Sequence, residues 1–334
     1  MNNKSILQAL AKGDFKKSLL GRALLFKGEA REELFKLARK VRSEHSPSKA
    51  VEVRSVIEIS NICQRKCNFC NINFYSRTKK RYLLKYGEII ETIEPLYLKG
   101  RRVFLLQSGE NKSQKYIDLV CKCLRSLKQR FQDLTIILCL GNLTCGQYKK
   151  LRESGADRYI LKFETSNPAL YKRIKPDDSL GKRTKAIKAL SELGFKVGSG
   201  NIIGLPNQTI DDIVNDLLFI GNFNLTMVST SIFIPGENSN YWDKPKGNLN
   251  ITLNYMALIR ILYPQMLIPS TSSLEKAQAN GQYLGLMAGA NAVTIHDGTP
   301  EELKKHYPIY SIKRFTPDEK RIRRIVLKSG LFLK

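Results

Sequence analysis

"VRSVIEISNICQRKCNFC", residues 53–70, joins two signals that decide the fold. Its first half is a short, β-branched, apolar run, the pattern of a strand buried on both faces. Its second half places Cys63, Cys67 and Cys70 within eight positions, as C-x3-C-x2-C. A buried strand that runs straight into a thiol-rich loop predicts a parallel sheet with chemistry at the strand's C-terminal end.

Seven further runs of the same kind follow: 102–107, 134–140, 158–163, 196–204, 226–233, 265–271 and 291–295. Helical periodicity fills the gaps, at 86–99, 113–130, 145–154, 180–193, 209–220, 250–263 and 276–288. Thr209 precedes two acids and reads as an N-cap. Eight strands with helical crossovers predict an α/β (β/α)8 TIM-type barrel over residues 49–300. A doubly wound open sheet is the alternative. Residues 1–48 read as an N-terminal helical extension of two helices, ended at "HSPSKA". Residues 301–334 read as a basic C-terminal tail, helical toward its end.

A chain of 334 residues is long enough for a large core, and 42% hydrophobic with 26% charged residues is ordinary globular composition. No apolar run reaches the roughly 18 residues that cross a bilayer, and the N-terminus lacks a signal-peptide core. These features predict a cytoplasmic protein with no membrane partner. Its seven cysteines are then ligands or free thiols rather than disulfides. The net charge of +26 suggests nucleic acid first, but the lysines are spread along the chain rather than gathered in a tract. A solvated basic surface, or docking of an acidic protein, explains the charge as well.

Three thiolates on one loop suit an iron–sulfur cube and leave one corner without a protein ligand. A structural zinc site would need a fourth Cys or His nearby. The next cysteine is Cys121, and the next histidine is His296. C-x3-C-x2-C after the first barrel strand resembles the signature of the radical S-adenosylmethionine (radical SAM) superfamily. The resemblance implies one 4Fe-4S cluster held by Cys63, Cys67 and Cys70. It also implies reductive cleavage of S-adenosylmethionine (SAM) to a 5′-deoxyadenosyl radical at the open iron.

Further strand ends resemble that superfamily's SAM-binding segments. "LLQSGE" (105–110) implies SAM contacts from Gln107, Ser108, Gly109 and Glu110; a plain Ser-Gly turn is the alternative. "RYILKFETSNP" (158–168) implies contacts from Lys162 and Glu164, and "GKRTKAI" implies a carboxylate contact from Arg183. "GSGNIIGLPNQT" (198–209) is similar to the adenine-contacting segment and implicates Gly200, Ile202, Gly204 and Leu205. It lacks the order of a dinucleotide loop.

The phrases "VIEISNIC", "GADRYILKFETSNP", "GLPNQTIDDIVNDLLF", "IPSTSSLE" and "GLMAGANAVTI" are similar to the biotin synthase-like branch, and within it to the HydE type of iron–iron hydrogenase maturase. That implies HydE-like cofactor maturation. Methylornithine-synthase-like carbon rearrangement fits the cysteine count equally, and sulfur insertion as in biotin and lipoyl synthases comes third. Biotin synthase needs a second cluster inside the barrel, and only Cys139 lies near such a position. No cysteine follows Cys145, where HydE-type enzymes often carry a second cluster. "TIHDGTP" (294–300) also departs from the branch's usual wording.

Cys139 and His296 are the catalytic candidates, as a thiol facing the barrel interior and as a proton donor or substrate contact. Cys121, Cys123 and Cys145 read as buried apolar thiols. Tyr241 and Trp242 read as residues that help close the mouth. The implied partners are an acidic electron donor (ferredoxin or flavodoxin) and a small-molecule or carrier-bound substrate. From another class, a cluster-containing nucleic-acid-binding protein would suit the charge but would leave the SAM-like segments unexplained.

Overall fold

The computed structural model describes residues 1–45, 48–76, 80–307 and 316–333. Three helices open the chain, where the sequence reading expected two: α1 (Asn3–Ala11), α2 (Lys17–Leu24) and α3 (Gly28–His45). The first predicted helix breaks at Gly13, whose φ of 83° lies in the left-handed region.

The barrel then alternates strand and helix: β1 (Ala50–Ser60), α4 (Tyr86–Leu98), β2 (Val103–Ser108), α5 (Gln114–Arg130), β3 (Thr135–Cys139), α6 (Cys145–Glu153) and β4 (Arg158–Ile160). It continues with α7 (Pro168–Ile174), α8 (Leu180–Glu192), β5 (Lys196–Ser199), β6 (Ile202–Ile203), α9 (Ile210–Phe219), β7 (Met227–Val228) and β8 (Ser231–Ile232). Last come α10 (Leu249–Leu262), β9 (Pro269–Ser270), α11 (Ser272–Ala277), α12 (Gly281–Met287), β10 (Ala292–Ile295), α13 (Glu301–Lys304), α14 (Glu319–Lys328) and β11 (Phe332–Leu333).

Eight parallel strands pair in the order β7-β5-β4-β3-β2-β1-β10-β9. The ring closes through a single bridge between Met227 and Leu267, with Leu267 N–H donating to Thr226 O at 3.0 Å. The expected (β/α)8 barrel is therefore present, with one narrow seam.

Strand parity sorts the side chains. Val56, Leu105, Ile137, Ile160 and Met227 form an inner cluster, joined by Cys139. Their neighbours Ile57, Phe104, Leu106, Ile136 and Leu138 pack outward against the helices. Register pairs Gln107 with Cys139 and Glu58 with Gln107, which carries the inward face of β1, β2 and β3 up to the rim.

Several predicted elements are split. The run 196–204 becomes β5 and β6, and 226–233 becomes β7 and β8; β6 and β8 pair with each other above the main ring. The predicted helix 276–288 becomes α11 and α12, broken at Asn280 with φ 63°. Thr209 caps α9 as expected, its hydroxyl accepting from Asp212 N at 3.1 Å while Asp212 Oδ2 accepts from Thr209 N at 2.8 Å.

The tail does not hang free of the barrel. Ile322, Ile325 and Val326 of α14 join the core, and β11 pairs with the start of β1. Residues 308–315, part of the predicted basic tail, lie outside the described residues. Among the described residues no helix is long and apolar enough to cross a membrane.

Candidate active site

The loop after β1 crosses the mouth of the barrel and is pinned on both sides. Asn68 N–H donates to Ile174 O at 2.9 Å, and its side chain donates to Arg173 O at 2.7 Å. Arg65 lies 3.4 Å from Asp177 and 3.3 Å from Asp178. On the other side, β2 ends against the loop. A Cβ on Gly109 would stand 2.4 Å from Ile62 O and 2.7 Å from Cys63 Cβ, so glycine is needed for this close approach.

Cys63, Cys67 and Cys70 line a cavity of about 270 Å³ at this mouth. Gln107, Ser108, Gly109, Glu110, Cys139, Lys162, Glu164, Arg183 and Ile202 share its wall. The three thiols, the eight candidates from Gln107 to Arg183 and Ile202 thus meet at one cavity, where strand reasoning placed them only as separate segments. Gly200, Gly204 and Leu205 are not part of the lining. Gly200 lets β5 pass close to Ser229, Gly204 meets Gly247, and Leu205 packs with Leu170, Ile174 and Tyr241. Tyr241 is buried beneath Phe233, while Trp242 is exposed.

Among the described residues no three His, Cys, Asp or Glu side chains converge on a point sized for one metal ion. The donor set instead fits a polynuclear cluster: three sulfurs on one loop, with Cys139, the fourth cysteine of the cavity wall, standing apart from them on β3. Cys63 Sγ accepts backbone N–H groups from Arg65 at 3.4 Å and Glu110 at 3.3 Å, which favours a thiolate there. In the metal-free chain burial pushes all three thiols up, so metal binding must displace protons.

Charge is arranged around the cavity. Glu164 sits at φ 66°, a strained conformation of the kind that gathers at functional sites, 3.5 Å from Lys162 and 3.8 Å from Lys175. One oxygen of Glu110 and one of Glu164 are buried without a hydrogen bond. Arg183 reaches the wall from α8, held by Tyr171 at 3.0 Å and Asp178 at 3.4 Å. Burial opposes the charge on Arg183, yet Tyr171 and Asp178 hold its pKa above the ordinary value. Such a wall suits a zwitterion with an added cationic centre.

Beneath this cavity lies a second chamber of about 140 Å³, lined by Arg54, Gln107, Cys139, Lys162, Lys276, His296 and small hydroxyl residues. His296, expected at the catalytic mouth past the eighth strand, therefore faces this chamber inside the barrel. Burial, with Glu164 adding to it, pushes the Cys139 thiol up to about 11. Its thiolate is then roughly one part in a thousand at pH 8. Alkylation of Cys139 by iodoacetamide should rise about tenfold per pH unit until pH 11. Peptide mass spectrometry would read this, and Cys139 reacting at pH 7 as fast as the exposed Cys145 would contradict it. Cys121 and Cys123 are buried in α5 as expected, but Cys145 is exposed, because it opens α6 on the rim rather than facing the core.

Arg54, Glu58, Arg65, Lys175 and Ser272 escaped the sequence reading. Parity in "VEVRSVIEIS" held a signal for two of them: Arg54 and Glu58 fall, with Glu52, on the inward face of β1, where charge is unexpected in a buried strand.

The profile of the Radical SAM superfamily matches residues 57–220. The [FeFe] hydrogenase maturase subunit HydE of Thermotoga maritima is 34% identical over 311 residues, 93% of this chain and 88% of that protein. The 3-methylornithine synthase of Methanosarcina barkeri is 29% identical, over 80% of this chain and 75% of its own. The crystal structure of methylornithine synthase (PylB) superposes with a TM-score of 0.85 at 25% identity, covering 98% of this chain and 97% of that one. The chain belongs to the radical SAM superfamily. It is a radical SAM enzyme, with a 4Fe-4S cluster and SAM as cofactors, and needs an electron donor and a small-molecule substrate.

Proposed function

We propose that the enzyme is a HydE-like cofactor maturase acting on a small, anionic precursor in the lower chamber. One observation carries this reading: the charged side chains of the chamber wall are the cations Arg54, Lys162 and Lys276, with Glu52 (2.6 Å from Arg54) and Glu164 (3.5 Å from Lys162) partnering two of them from outside the wall. The HydE relative, aligned over nearly the whole of both chains, supports it.

When bound, the cluster supplies the electron that cleaves SAM, and SAM supplies the group that removes a hydrogen atom from carbon. The chain's own residues hold and orient. Cys63, Cys67 and Cys70 hold the cluster. Gln107 to Glu110 receive the SAM amine, Arg183 its carboxylate, and Glu164 with Lys162 the remaining polar groups. Ile202 and Phe233 give the adenine an apolar wall. Gly200, Gly204 and Leu205 shape that wall from behind.

Methylornithine-synthase-like chemistry is the second reading, favoured by the PylB superposition. Its product is a diamino acid, and two ammonium groups would meet the three chamber cations unfavourably. Sulfur insertion needs further thiols, and besides the cluster loop only Cys139 reaches either cavity.

The test is anaerobic. Reconstituted enzyme with reductant should convert SAM to 5′-deoxyadenosine, and its gene should restore hydrogenase activity to a host lacking its HydE. Formation of 3-methylornithine would overturn the maturase reading. Steeply salt-dependent binding of DNA or RNA without SAM cleavage would overturn the enzyme reading.

We place the enzyme in the cytosol, in keeping with seven free cysteines, and take its donor to be an acidic ferredoxin or flavodoxin. Beside the cysteine loop Phe74 and Tyr75 are exposed, with Lys66 Nζ 5.9 and 5.3 Å from their ring centres. Lys66→Glu should slow cluster reduction by flavodoxin about tenfold at low salt, because steering is lost. Reduction by dithionite should stay unchanged, and an equal slowing of both would move the docking face elsewhere.

A further inference from the structure

Two side chains of the lower chamber's wall, His296 and Ser272, continue outward to the buried Glu58 behind them, a series that binding of cluster and SAM leaves unused. Glu58 of β1 is fully buried. Its Oε1 lies 2.8 Å from Nδ1 of His296, and its Oε2 accepts a short hydrogen bond from the Thr299 hydroxyl. That hydroxyl in turn accepts from Glu58 N at 3.0 Å, which fixes the carboxylate in place. On the other side of the ring, His296 Nε2 lies 3.1 Å from the hydroxyl of Ser272, the first residue of α11. Ser272 and His296 both line the chamber.

Carboxylate, imidazole and hydroxyl therefore stand in the order of an acid–base–nucleophile triad. The tautomer follows from the donors. A carboxylate only accepts, so Nδ1 carries the proton and Nε2 presents its lone pair to Ser272.

We propose that Glu58, His296 and Ser272 form a proton relay that makes the Ser272 hydroxyl the basic, nucleophilic group of the lower chamber. It would serve a small substrate that must lose a proton from an acidic group such as a thiol. The substrate proton moves to Ser272 Oγ as the Ser272 proton moves to His296 Nε2. Glu58 stays ionised and stabilises the imidazolium; no electron moves. Arg54, Lys162 and Lys276 in the chamber wall stabilise the conjugate base left on the substrate. Tyr82, which donates to Glu58 O at 2.9 Å, and Tyr307 complete the polar surroundings of the carboxylate. Glu58 is the positioning residue and His296 accepts the proton; Ser272 is the one that touches substrate.

The proposal rests on reading the lower chamber as the substrate site, but its test does not need the substrate. The holoenzyme, cluster loaded and free of SAM, is treated with methanesulfonyl fluoride. The Ser272 Oγ–S bond forms as the S–F bond breaks, fluoride leaves and the serine proton passes to His296. Mass spectrometry should find the adduct on Ser272. His296→Gln should slow its formation about 100-fold. Glu58→Gln should slow it as well, and Glu58→Asp should recover part of the rate. The chain has only three histidines, so nitrogen-15 spectra of labelled wild-type protein resolve His296, and they should report the Nδ1–H tautomer. No adduct on Ser272, an unchanged rate in His296→Gln, or an Nε2–H tautomer each overturns the relay. Failure of SAM cleavage or of hydrogenase restoration would sink the function reading and leave these readouts standing.

Discussion

Cys67→Ser should reduce the iron of anaerobically reconstituted enzyme from about four per chain to near zero. The three sulfurs line one cavity, and Cys67 is the most buried of them by surface exposure, at 7%. Serine keeps the shape but replaces a soft thiolate by a hydroxyl that does not ionise at neutral pH, so one corner of the cluster loses its ligand. 5′-Deoxyadenosine formation should fall to background with it. Cys145→Ser is the control, since that thiol is exposed on α6 outside both cavities; it should keep its iron and its activity. Iron counting and chromatography decide the matter. Full iron retention in Cys67→Ser would remove the site as described.

Gly200→Ala is the second large effect, and it concerns the fold first. At φ 149° an added Cβ would stand 1.8 Å from Ser229 O, an impossible contact with rigid backbone. Relief requires β5 and β7 to move apart, and Ser229 N–H already donates to Ser199 O at 2.9 Å. A loss of about 3 kcal/mol is expected, seen as a lower thermal midpoint at equal iron content. Gly200 O also accepts from Glu164 N at 2.9 Å, so the shift reaches the strained Glu164 and should weaken SAM binding. Gly181→Ala, in α8 with open space at its Cβ, is the comparison and should be neutral or slightly stabilising. A Gly200→Ala enzyme as stable as wild type would mean that the strand spacing here is not tight.

These two sites mark what the sequence carried and what it did not. The short apolar, β-branched runs and the helical intervals specified a barrel, because parallel strands buried on both faces have few other ways to be covered. The cysteine spacing specified a three-thiolate loop, because three ligands in eight residues are a local property of the chain. Strand ends such as "LLQSGE" and "RYILKFETSNP" were legible as rim segments for the same reason.

The glycines of "GSGNIIG" were not separable by sequence. A glycine that admits a ligand and one that admits a neighbouring strand look alike, and only the position of Ser229 and Gly247 distinguishes them. Breaks at Gly13, Gly200 and Asn280 were missed because a left-handed residue inside a periodic run leaves the apolar pattern intact. The chamber is the clearest case. Arg54 and Glu58 come from β1, Lys162 from the exit of β4, Ser272 from α11, and His296 from the exit of β10. Local chemistry determined the strands and the thiol loop; closure of the ring alone decided which charges would face one another, since residues more than 200 positions apart meet only when β1 pairs with β10.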